Sequence, residues 1–152
     1  MKLMVRAHDL GVKGAENINK KLCDLSLDGV QFVAYKSIEG VAYAPASLTQ
    51  EQAREISSTI KKNEKEIALI GAYFNPVHPN TAKIENGIAV FKDYISLAKS
   101  IGCDFVGSET GSYNGDPWIY HPMNHSDEAL CRVVKTFSSL ADLKSSFEFK
   151  YS

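Results

Sequence analysis

Four places in the sequence set a chemically capable side chain just where an apolar run gives way to turn residues. His8 and Asp9 follow residues 3–7, and Lys36 follows residues 30–34. Asn75-Pro76-Val77-His78-Pro79 comes after residues 66–72, and Glu109-Thr110-Gly111-Ser112 after residues 104–107. A carboxylate is costly to bury unpaired, so Glu109 must be solvated, hydrogen-bonded, or holding a cation or a substrate hydroxyl. An oxygen and imidazole shell suits a divalent metal, with His78 as the natural neighbour of Glu109. Each group also has a plainer use. His8 and Asp9 fit a loop cap, Lys36 a rim lysine with a buried stem, and the Asn-Pro and His-Pro pairs a rigid turn. Glu109 equally fits an acceptor for its own loop.

The elements that position these groups alternate. The four apolar runs read as short strands of the kind buried on both faces of a parallel sheet. Ile18, Leu22 and Leu25 mark a helix stopped by Gly29. Thr49 and Gln52 stand at capping-box spacing before Ala53, Ile56 and Ile60. Ile84, Ile88, Phe91, Ile95 and Ala98 give a third helix ending at Gly102, and a fourth starts near Ser126 with Leu130, Val134 and Phe137 on one face. Strand and helix in alternation predict an α/β fold of parallel (β/α) units joined by right-handed crossovers. A doubly wound sheet and half of a (β/α)8 barrel both fit, and in both the ligand site lies at the carboxyl ends of the strands.

The 152 residues, 44% hydrophobic and 23% charged, suit one soluble domain over residues 1–152. A formal net charge of −1 offers no broad basic field, so a small neutral or weakly charged partner is expected and nucleic acid is not. Neither a leader peptide nor an apolar run of about 18 residues is present, which gives the expectation of a cytoplasmic protein without membrane contact. Cys23, Cys103 and Cys131 show no CxxC pairing, so buried free thiols are expected rather than a disulfide frame or zinc cluster. His121 and His125 are separated by Pro122 and lack a third ligand. Tyr113, Trp118 and Tyr120 lie in a turn-rich loop that suits sugar-ring faces and a packed lid equally. Phosphate-binding glycine loops and the nucleophile elbow are absent from the sequence.

The stretches "RAHDLG", "QFVAYKSI", "IALIGAYFNPVHPN" and "FKDYISLAKSIGCDFVGSETGS", in that order, resemble the first half of the sugar phosphate isomerase/epimerase proteins of the xylose isomerase-like TIM-barrel superfamily. The resemblance covers about residues 1 to 112. It implies a metal-dependent enzyme that moves a proton beside a sugar carbonyl, with Mn, Mg or Zn as cofactor and a sugar or sugar phosphate as substrate. It places Glu109 and His78 as catalytic and metal-binding residues, and His8, Lys36, Asn75 and Thr110 as substrate contacts. The family's principal metal ligands come from strands five to eight, for which Glu148, between Phe147 and Phe149, is the only stand-in here. Four parallel strands cannot close a barrel, so pairing of two copies into a homodimer is expected. A noncatalytic, carbohydrate-binding half-barrel is the alternative.

Overall fold

The computed structural model describes residues 1–115 and 119–141. These divide into two compact units, the first comprising Met1–Ala72 with Val90–Ser108, the second Tyr73–Ala89 with the described part of Glu109–Ser152. The alternating run around Glu148 lies outside the described residues.

The first unit is built on a parallel sheet of β1 (Met4–Arg6), β2 (Gly29–Phe32), β3 (Glu66–Gly71) and β4 (Val106–Gly107), in the order β1-β2-β3-β4. Each strand lies beside its neighbour in sequence. A doubly wound sheet reverses its order at a switch point, whereas a barrel adds strands in sequence, so this is half of a TIM barrel. A register irregularity falls between Val30 and Gln31. Val30, Phe32, Ile67 and Ile70 are buried in the sheet.

Helices α1 (Ala15–Asp24), α2 (Ala34–Ser37), α3 (Gln50–Ile60) and α4 (Thr81–Ile101) follow the first three strands. Helix α3 opens on the expected capping box: Gln52 N–H donates to Thr49 Oγ1 at 3.1 Å and Thr49 N–H to Gln52 Oε1 at 2.9 Å. Such a cap contributes about 1 kcal/mol. Ala53 and Ile60 are buried as the stripe requires. Two expectations need correction. Helix α1 ends at Asp24 and Leu25 is its cap, its N–H bonded to Lys21 O at 3.1 Å, which leaves the Leu25 side chain exposed. In α4 the buried row is Val90, Tyr94, Leu97 and Ile101 together with Phe91 and Ala98, while Ile95 is only half-buried.

In the second unit, helix α5 (Asp127–Ala141) follows a 3-10 turn, Pro122–His125. Ser126 starts it, its Oγ accepting from Ala129 N–H at 3.1 Å. The expected inward face does not hold here. Leu130 and Val134 are 62% and 54% exposed, and the buried residues of the helix are Ala129 and Leu140. Phe137 meets Phe74 at 5.9 Å between ring centroids. No helix among the described residues is long and apolar enough to cross a membrane.

Candidate functional site

The carboxyl ends of β1 and β2 lie side by side in the parallel sheet of the first unit. After Arg6 the chain enters a 3-10 turn, Ala7–Leu10, closed by Gly11. Ala7 and Leu10 are buried, so His8 and Asp9 occupy the outer side of that turn. Asp9 Oδ2 accepts from Arg6 Nε at 2.6 Å, and Asp9 Oδ1 lies 3.8 Å from His8 Nε2. After β2, Ala34 and Ser37 point inward in α2, and Tyr35 and Lys36 are left half-buried. Lys36 Nζ lies 5.7 Å from the Tyr35 ring centroid, and Tyr43 meets that ring edge-on at 5.3 Å.

Two of the residues singled out from sequence thus come together. Burial first, and the Lys36 charge second, lower the His8 pKa below its ordinary 6.5, with Asp9 opposing them. Both causes favour the neutral imidazole of His8 over its charged form. Its Nδ1 is buried without a partner among the described residues. Tyr35 and Tyr43 escaped the sequence reading because nothing in their spacing links them; only the one-turn helix α2 aims one at the other. Burial also raises the Tyr43 pKa, with a smaller push from Tyr35.

The second unit holds the other four candidates. Asn75 spends both acceptor positions and one donor of its amide on neighbouring backbone. Its Oδ1 accepts from Ser112 N–H at 3.0 Å and Val77 N–H at 3.1 Å, and its Nδ2 donates to Ser112 O at 2.6 Å. The pair of bonds to Ser112 copies a peptide-to-peptide pairing with a side chain. Asn124 ties the same loop from its other side, Oδ1 accepting from Tyr113 N–H at 2.9 Å and Nδ2 donating to Ser112 Oγ at 3.1 Å. His78 is 8% exposed, and its Nδ1 accepts from Asn80 N–H at 2.9 Å. In the neutral imidazole the other nitrogen, Nε2, then carries the proton.

Two glycines make the close approach possible. A Cβ on Gly111 (φ +85°) would collide with Asn75 Oδ1, and one on Gly115 (φ +68°) would come within 2.9 Å of His78 Nε2. Both sit in the left-handed region that only glycine enters cheaply. These geometries revise two expectations. Asn75 holds the loop after β4 with three of its four hydrogen-bonding positions, which leaves one Nδ2 N–H for any other contact. His78 is buried against that loop with Nδ1 already accepting, which is the reverse of the free imidazole lone pair a metal requires. Glu109 and Thr110 are exposed, with no hydrogen bond or ion pair to any described residue.

The chain matches the family described as xylose isomerase-like TIM barrel over residues 20–146. It belongs to that family. A search among curated proteins finds no match. Among solved structures, the crystal structure of SacUVDE superposes with a TM-score of 0.57 at 15% identity, over 91% of this chain and 56% of that one. At such identity the likeness concerns the fold alone, and this chain spans little more than half of the SacUVDE chain.

The xylose isomerase-like resemblance implies a divalent metal, and the donor set can be tested against one. No group of three or more His, Cys, Asp or Glu side chains converges among the described residues. With His78 Nδ1 accepting from Asn80, its Nε2 carries the proton in the neutral imidazole and is buried without a partner among the described residues, so Glu109 is the one donor of the proposed pair with a free lone pair. The described residues do not fit a resident divalent ion.

Proposed function

We propose that this chain is the substrate-orienting half of a sugar or sugar-phosphate isomerase or epimerase. The observation that supports it most is that His8, after β1, has its pKa lowered by burial and then by the charge of Lys36, which follows β2. Moving a proton next to a carbonyl builds negative charge on the carbonyl oxygen, and a fixed cation lowers the cost of that charge. A neutral imidazole can accept or pass a proton at neutral pH. In this reading Lys36 and His8 contact the substrate's oxygens in the first unit; Glu109, a carboxylate with no partner among the described residues, is proposed as a base and Thr110 as a hydroxyl contact of the second unit. Asn75 and His78 are positioning residues for the loop after β4. The setting is cytoplasmic, and no step is assigned to a metal.

Incubation with aldoses, ketoses and their phosphates in deuterated water tests this. Deuterium entering beside the carbonyl, and lost in Glu109→Gln, is the expected result. No incorporation with any substrate overturns the enzyme reading.

A second reading, a noncatalytic carbohydrate-binding half-barrel, is favoured by the poor metal donor set; it predicts sugar binding without exchange. We further propose that β1 and β4, the edges of the sheet among the described residues, pair with a second copy. Light scattering giving the mass of one chain removes that homodimer.

A further inference from the structure

Asparagine followed by glycine occurs as Asn86-Gly87 and as Asn114-Gly115, both within the second unit. In such a pair the glycine nitrogen, unshielded by a side chain, can attack the side-chain carbonyl of the asparagine before it, one reason asparagine is thermolabile. We propose that Asn114 is a self-modification site, where the chain converts this amide to a carboxylate and unfastens the loop after β4, while the fold keeps Asn86 inert.

The two sites differ in what their glycine is doing. Gly87 lies inside α4, where each N–H is spent on the carbonyl four residues back. It is buried, and a Cβ there would collide with the Phe74 ring, so this turn of α4 must unwind before Gly87 N can approach Asn86 Cγ. Gly115 instead closes a turn, its N–H reaching Ser112 O at 3.3 Å, longer than the usual value of about 2.9 Å. A φ of +68° and the His78 ring 2.9 Å from any Cβ make glycine the residue this turn requires. The bare Cα that the turn needs is also what leaves the nitrogen open to react.

The amide under attack is a clasp. Asn114 Nδ2 donates to Ile119 O and, at 2.9 Å, to Tyr120 O, while its Oδ1 accepts from no described residue. Ile119 and Tyr120 are 59% and 74% exposed, so water reaches this part of the loop. Gly115 N, giving its proton to solvent, bonds to Asn114 Cγ; the Cγ–Nδ2 bond breaks, and the amide leaves as ammonia with a proton from water. Water then opens the cyclic imide at either carbonyl, leaving an aspartate or, with the chain rerouted through Cγ, an isoaspartate. No oxidant or cofactor enters. Either product replaces a donor by an anionic acceptor facing two carbonyl oxygens, which repel it. The bonds of Asn75 and Asn124 at the base of the loop are not involved. Because the clasp holds Nδ2 while closed, the reaction runs from the opened loop, and its rate reports how often the clasp lets go.

The test needs neither substrate nor activity, so it stands or fails apart from the isomerase reading. The full chain is incubated at mildly alkaline pH, folded and in urea, and each asparagine is followed by peptide mapping with mass spectrometry that distinguishes isoaspartate. In the folded chain Asn114 should convert at least about tenfold faster than Asn86, whereas in urea the two identical dipeptides should convert alike. Asn114→Gln, which must close a larger ring, should stop conversion at this position. Asn114→Asp, with the clasp already reversed, should speed hydrogen exchange of the Gly115 amide about tenfold. Equal rates at the two sites in the folded chain, conversion of Asn114 only in urea, or unchanged Gly115 exchange in Asn114→Asp would each overturn the proposal.

Discussion

Asn75→Ala removes the side chain that holds the loop after β4, and its cost can be worked from the geometry. Three hydrogen bonds disappear: Ser112 N–H and Val77 N–H to Oδ1, and Nδ2 to Ser112 O. At about 0.5–1.5 kcal/mol net each, the loss is about 1.5–4.5 kcal/mol. Ser112 is only 3% exposed, so its freed N–H and C=O are poorly rehydrated and the upper half of that range applies. The assay is native-state hydrogen exchange read at the Ser112 amide, whose bond to Asn75 reports directly on the clamp. A local loss of about 3 kcal/mol should speed its exchange roughly a hundredfold. Amides of β2 should keep their protection, which separates loop opening from global unfolding. Asn75→Asp retains both acceptor roles but turns a carboxylate oxygen toward Ser112 O, so it should fall between wild type and alanine. Unchanged Ser112 protection in Asn75→Ala would refute the clamp.

Two further outcomes follow from the same geometry. Gly115→Ala forces an L residue to φ +68° and pushes a methyl against His78 Nε2, so urea unfolding should show a loss of about 2 kcal/mol; full stability would mean the loop does not rest on His78. Lys36→Met should raise the His8 pKa, followed by NMR titration of its Cε1 proton, but not fully to 6.5, since burial is the larger cause. Because His8 titrates lower folded than unfolded, the unfolded chain takes the proton first, and stability should fall as pH drops below about 6.5, less steeply in the variant. A His8 titration unaffected by Lys36→Met would separate the two residues and remove the main support for the isomerase reading.

What could be read from sequence was what is local. The Thr49–Gln52 capping box lies within one helical turn, and both of its bonds form. The strands were placed to within a residue or two, because short apolar runs between helices have few other uses in an α/β chain. Faces were harder. Helix α4 is apolar over a wide arc, so more than one row of residues satisfied the helical period, and the buried row includes Tyr94, which the chosen stripe left out. In α5 the pattern of Leu130, Val134 and Phe137 was genuine, but periodicity identifies a face without saying whether anything covers it. The roles of Asn75 and His78 were illegible for another reason. The Asn75–Ser112 bonds join residues 37 apart, and nothing in either stretch announces the partner. Gly111 and Gly115 were the available signal, since paired glycines in a loop mark close approach, but not to what.

Asn75 and Asn124 grip the chain at Ser112 and Tyr113, and Asn124 is itself 12 residues beyond Ser112. The stretch between them is therefore a closed ring fastened at its base. Closing such a ring costs entropy that grows only as the logarithm of its length, about 0.6 kcal/mol for each doubling. Residues can be inserted between Tyr113 and Asn124 at small thermodynamic cost while the two asparagines keep Ser112 and Tyr113 in place. Evolution or a designer can thus rewrite what this loop presents to a ligand without disturbing the base on which it is built.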